Sequence, residues 1–100
     1  MATILLVEDD ERISEPLVRV LSTEGFDVIH ASTGNAGLDA IATGRPSLML
    51  LDLTLPDIDG LDVCRKVRED RPDLPIIMLT ARAEEMDMIV GLGAGADDYV

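Results

Sequence analysis

Ile4-Leu5-Leu6-Val7-Glu8-Asp9-Asp10 and Leu48-Met49-Leu50-Leu51-Asp52 are two apolar runs that each end in acid. An unbroken apolar run of four or five residues predicts a strand buried on both faces, as in a parallel sheet with helices above and below. Ligands of such sheets collect at the carboxyl ends of the strands, where the strand order reverses. Acids delivered there by two strands crowd into one pocket. Like charges at close range are costly unless a cation, usually hard and divalent, lies between them. The pattern predicts an acidic metal site with one carboxylate available for chemistry.

Outward from these runs, helical and strand patterns alternate along the whole chain. Thr3–Val7, Asp27–Ala31, Leu48–Leu53, Ile76–Leu79 and Asp98–Val100 read as strands. Ile13, Leu17, Val18, Val20 and Leu21 mark one face of a helix that Gly25 closes. Pro16 is awkward in that helix and predicts a late start near Ser14 or a kink in its first turns. A second helix runs from about Gly34 to Thr43 with Gly44 as its stop. A third passes through Leu61, Cys64 and Val67 after the turn-rich Pro56-Asp57-Ile58-Asp59-Gly60, and a fourth covers Glu84–Leu92. The order βαβαβαβαβ predicts an α/β fold with a doubly wound parallel sheet, here without a helix after the last strand.

The 100 residues suit one small domain spanning 1–100. Hydrophobic content of 47% against 28% charged supports a core, which Phe26 and Tyr99 as sole aromatics leave to aliphatic side chains. A formal net charge of −12 argues against direct nucleic-acid binding, which needs clustered Lys and Arg. Cys64 is the only cysteine, so no internal disulfide forms and a reducing compartment follows. No run approaches the roughly 20 apolar residues of a membrane span, and the N-terminus lacks a signal-peptide pattern. A cytoplasmic protein is expected.

Glu8, Asp9, Asp52 and Thr80 each fall at the carboxyl end of an expected strand. Oxygen ligands suit Mg2+, which takes one or two carboxylates and keeps several waters. A carboxylate beside Mg2+ can attack phosphorus, because the metal offsets and orients the phosphoryl oxygens. The Thr80 hydroxyl can then bond a phosphoryl oxygen. The competing possibility is that these residues cap the following helices, a role that suits Asp10 well. Other signals are weaker. Gly91-Leu92-Gly93-Ala94-Gly95-Ala96 ends a helix rather than opening one, which disfavours a dinucleotide loop. His30 reads as a surface or edge residue, Cys64 as core, and Arg65, Lys66, Arg68 and Arg71 as a solvated basic face.

Four segments, Ile4 to Asp10, Leu50 to Gly60, Ile77 to Ala81 and Gly95 to Val100, together resemble the receiver domain of two-component response regulators. The resemblance holds in order and register from Ile4 to Val100. It is nearest to the OmpR/PhoB-like group, whose receivers precede a winged-helix DNA-binding domain. It implies a five-stranded flavodoxin/CheY-like sheet of order 2-1-3-4-5 and a phosphorylation-dependent switch rather than an enzyme. Asp52 would accept a phosphoryl group from a sensor histidine kinase. Asp9 would hold Mg2+ directly and Glu8 through water, with Asp52 and the Thr54 carbonyl completing the protein ligands. Thr80 would be the switch hydroxyl, assisted by the Ala81 amide, and Tyr99 the aromatic that changes rotamer with it. Thr54 and Arg82 match variable positions that tune the lifetime of the phosphoryl group.

The chain also departs from that family. The lysine at the end of the fifth strand would lie two positions beyond Val100, and the last helix is absent with it. In the OmpR/PhoB-like group that helix forms half of a dimer face, on which Asp97 and Asp98 match acidic members. Met88 and Gly93 stand where the group carries a basic and an acidic residue. An uncovered sheet flank favours a homodimer or swapped association. Two alternatives are a pseudo-receiver that only mediates association and a small Mg2+-dependent phosphohydrolase. The second would want an acid two positions after Asp52, where Thr54 stands.

Overall fold

Alternate residues of each central strand face opposite sides, so a wholly apolar run needs cover on both. In the computed structural model, which describes residues 2–79 and the backbone of Asp98 and Tyr99, that cover comes from helices on the two faces. The elements are β1 (Thr3–Val7), α1 (Glu11–Thr23), β2 (Asp27–Ala31), α2 (Gly34–Gly44), β3 (Leu48–Asp52), α3 (Gly60–Asp70), β4 (Ile76–Leu79) and β5 (Asp98–Tyr99). All strand pairs are parallel, in the order β2-β1-β3-β4-β5. That is the doubly wound order the resemblance implies. The helix expected over Glu84–Leu92 lies outside the described residues.

Two apolar layers divide the side chains of the sheet. Leu5, Val7, Met49, Leu51, Ile76 and Met78 join Ile41 of α2 and Val63, Cys64 and Val67 of α3. Ile4, Leu6 and Leu50 face the other way, against Leu17, Val18 and Leu21 of α1. Each fully buried aliphatic side chain gains roughly 1.5–3 kcal/mol, so the aromatic-poor core is assembled from many moderate gains. Cys64 belongs to this core as expected.

Helix boundaries differ from the sequence reading where local chemistry competes. The first helix begins at Glu11 rather than near Ser14, because the Asp10 side chain caps it by accepting the Arg12 amide at 2.9 Å. Pro16 is carried inside α1 on its exposed side and forgoes one hydrogen bond to the preceding turn. At the other end the Phe26 amide donates to the Leu21 carbonyl and the Gly25 amide to Ser22, with Gly25 at φ 96°. That is the left-handed stop expected at Gly25. The second helix includes Gly44 as its last residue. Its left-handed residue is Arg45 at φ 44°, while a Cβ on Gly44 would lie 2.6 Å from Ile29 Cδ1. Gly44 is used for close packing on β2, which displaces the turn by one residue. The third strand ends at Asp52, although the Leu53 amide still reaches the Leu79 carbonyl at 3.3 Å.

Gly60 opens α3 directly beneath the end of β3. A Cβ there would collide with the Asp52 carbonyl oxygen and lie 2.7 Å from Leu53 Cα, both backbone atoms that cannot swing aside. Replacing Gly60 by Ala should therefore cost about 1–3 kcal/mol in urea unfolding, as overpacking does. Gly44→Ala should cost less, because it meets only the tip of one side chain and gains helix propensity.

Candidate metal centre

The central pairing of the sheet builds the site. Val7 is in register with Leu51, so the acids that follow them emerge side by side at the carboxyl edge. One ligand oxygen each from Glu8, Asp9 and Asp52 lies within 4.8 Å of the others. Glu8 is 2% exposed and Asp52 9%, whereas Asp9 is open to solvent. The chain turns to opposite faces after these strands, with α1 on one side and α3 on the other. This is the switch-point position at which doubly wound sheets bind ligands.

The backbone at Glu8 is held from the neighbouring strand. Its amide donates to the Ala31 carbonyl at 3.0 Å, and its carbonyl accepts from His30 Nε2 at 2.8 Å. On the Glu8 side chain, Oε2 is buried without a hydrogen-bond partner. Burial, then the hydrogen bond and charge of Asp52, then the charge of Asp9 push the Glu8 carboxyl up to about 8. Asp10 stands apart from this crowding. Its carboxylate is engaged by the Arg12 guanidinium at 2.9 Å and by the Arg12 amide, which hold it below the usual carboxylate range.

Three oxygen donors, one of them a buried orphan, make a set that suits a hard divalent cation. Such an ion would supply the positive charge that Glu8 otherwise obtains by keeping a proton. Thr54 is exposed on the loop just beyond β3. Tyr99 lies on β5 opposite Met78, and its side chain is outside the described residues. Thr80 and Ala81 are also outside them; Leu79, which precedes Thr80, is the register partner of Asp52.

Some contacts near the site had no signature in the sequence. The Asp57 carboxylate accepts the Gly34 amide on Oδ1 and the Asn35 amide on Oδ2, both at 2.8 Å. The Asn35 and Gly34 bonds hold its carboxyl below the usual range. Only its place in a turn segment marked Asp57, because its partners lie more than 20 residues away. His30 is exposed on an edge strand as expected, yet its ring bonds the backbone of Glu8. The basic cluster is only partly a solvated face. Arg68 Nη1 donates to the carbonyls of Arg71, Pro72 and Leu74, and Arg71 Nη2 to that of Pro46.

Residues 4–100 match the pattern of the response regulator receiver domain. The chain belongs to this family. The receiver is 47% identical over 100 residues to the transcriptional regulatory protein AfsQ1 of Streptomyces coelicolor, covering all of this chain and 44% of that protein. It is 48% identical over 97 residues to the DNA-binding response regulator MtrA of Mycolicibacterium smegmatis, covering 97% of this chain and 42% of that one. It thus spans less than half the length of these relatives, whose names place them among transcription regulators, in keeping with the OmpR/PhoB-like group. The BeF3-activated N-terminal receiver domain of Klebsiella pneumoniae RstA superposes with a TM-score of 0.94 at 35% identity, covering 98% of this chain and 83% of that one. Among the described residues of the receiver, no helix is long and apolar enough to cross a membrane.

The Glu8 proton has a consequence for stability. The folded receiver holds a proton that the unfolded chain releases, so this contribution is complete below about pH 4.5 and is lost as the pH rises through about 8. In metal-free buffer the melting temperature should fall more steeply across that range for the native protein than for Glu8→Gln, which cannot titrate. Parallel curves in calorimetry would contradict the assignment.

Proposed function

We propose that the receiver accepts a phosphoryl group on Asp52 from the phosphohistidine of a sensor histidine kinase, in the presence of Mg2+. The gathering of Glu8, Asp9 and Asp52 at one strand edge is the observation that carries this reading. Asp9 and Asp52 would hold the ion directly, Glu8 through water, and the Thr54 carbonyl would complete the protein ligands. Bound there, Mg2+ offsets the charge on the phosphoryl oxygens. An Asp52 carboxylate oxygen attacks phosphorus and the bond from phosphorus to the kinase imidazole nitrogen breaks. The electron pair stays on that nitrogen, which takes up a proton as needed from solvent.

We assign the Thr80 hydroxyl and the Ala81 amide to the phosphoryl oxygens, and Tyr99 to the rotamer change that follows. The product is a switch rather than a turnover enzyme, acting in the cytoplasm on a DNA-binding region of the kind named in MtrA. Acetyl phosphate with Mg2+ should add one phosphoryl increment to the intact mass of the protein, and none to Asp52→Asn or in excess chelator. Labelling of the Asn variant would defeat the assignment. Self-association belongs to the same reading, because Leu48, Ile77 and Leu79 are half-buried on the sheet face that α1 covers. Sedimentation should show dimers, and a monomer at all concentrations would remove that part of it.

A further inference from the structure

The loop from Leu53 to Asp59 joins the end of β3 to α3 and carries Thr54. Its two ends are tied to their own neighbourhood. The Leu53 amide donates to the Leu79 carbonyl, the Gly60 amide to the Leu53 carbonyl at 3.0 Å, and Asp59 caps α3 by accepting the Leu61 amide at 2.9 Å. The middle of the loop is tied elsewhere, to the start of α2. There the Asp57 carboxylate spans the amides of Gly34 and Asn35, the first two residues of that helix. The Ile58 side chain packs on the same spot, its Cδ1 2.8 Å from where a Gly34 Cβ would be. Thr33 meets the next donors, its Oγ1 accepting the Ala36 amide at 3.0 Å and its carbonyl the Gly37 amide at 3.0 Å. A carboxylate at a helix N-terminus gains from both the charge-assisted bonds and the helix dipole. Asp57 therefore does more than complete a cap, since Thr33 already provides a local one.

We infer that Asp57 is a positioning residue for the metal site: by bridging the first two amides of α2 it fixes the loop that presents Thr54 beside Asp52. This rests on the reading of Asp52 and its neighbours as an Mg2+-dependent phosphorylation site. It adds a tether from a helix that contributes no ligand. Thr54 lies on the stretch between two tethered residues, Leu53 and Asp57, and a ligand carbonyl there must not wander by more than a few tenths of an ångström to keep its place around a small ion.

The test is calorimetric titration with Mg2+ alone, beside amide hydrogen exchange in metal-free buffer. Asp57→Ala should weaken Mg2+ binding by about tenfold, the low end of what outer partners of a metal site contribute, and should speed exchange at Gly34, Asn35 and Leu55. Thr33→Ala removes a cap from the same helix without touching the loop, and should lower the melting temperature with Mg2+ affinity unchanged. Asp57→Asn keeps one acceptor oxygen and loses the charge; it should bind Mg2+ more tightly than the Ala variant. Equal binding by native protein and Asp57→Ala overturns the positioning role. So does an equal loss in Thr33→Ala, or an Asn variant as weak as Ala, which would leave charge alone as the cause. Native protein that binds no Mg2+ overturns the phosphorylation-site reading itself, an outcome distinct from the other three.

Discussion

The register between β1 and β3 is the constraint on which the rest of the receiver depends. Ile4 opposite Leu48 through Val7 opposite Leu51 sends alternate side chains into two separate apolar layers. The same register sets Glu8 and Asp52 next to each other at the strand ends. A slip of β3 by one residue would turn each of its side chains to the other face, moving Met49 and Leu51 away from α2 and α3. It would also separate the acids. Core and site are thus not independent features: the hydrophobic energy that fixes the pairing holds two carboxylates at a distance they would not choose.

That forced proximity explains the electrostatics. Glu8 is deeply buried with an orphaned oxygen, close to two further acids. Elsewhere in the receiver, several acids have donors of their own. Asp10 has Arg12, Asp62 has Arg65, and Asp57 and Asp59 have helix amides. Only at the end of β1, among the described residues, is a buried carboxylate oxygen left without a partner. The contrast separates an acidic surface, which is common, from an acidic site.

Much of this was legible in the sequence because the signal was local. A continuous apolar run followed by acid identifies a strand, its carboxyl end and a candidate ligand in one segment, and both central strands have it. Where two local signals compete, the reading fails. Pro16 argued for a late helix start or a kink; the late start does not occur, because the Asp10 cap lies upstream of it and sets the beginning of α1. Gly44 looked like a stop, yet the absence of a side chain there serves packing on Ile29 and the turn falls on Arg45. Long-range contacts left no trace at all. A carboxylate that caps a helix more than 20 residues away, or an arginine such as Arg71 that reaches the Pro46 carbonyl, has the same local sequence as one in solvent.

Arg68 and Arg71 are committed to holding backbone carbonyls. Of eight basic residues against twenty acids, Arg12 and Arg65 sit in ion pairs and Arg68 and Arg71 lean inward on loops. Two of these charges are matched by a neighbouring acid, and the net charge of the chain is −12. The outer potential is accordingly dominated by carboxylates, and a protein with a basic face is drawn in along it before any specific contact is made. Encounter rates with such a partner fall steeply as salt is added, while the lifetime of the complex, set by close contacts, changes much less.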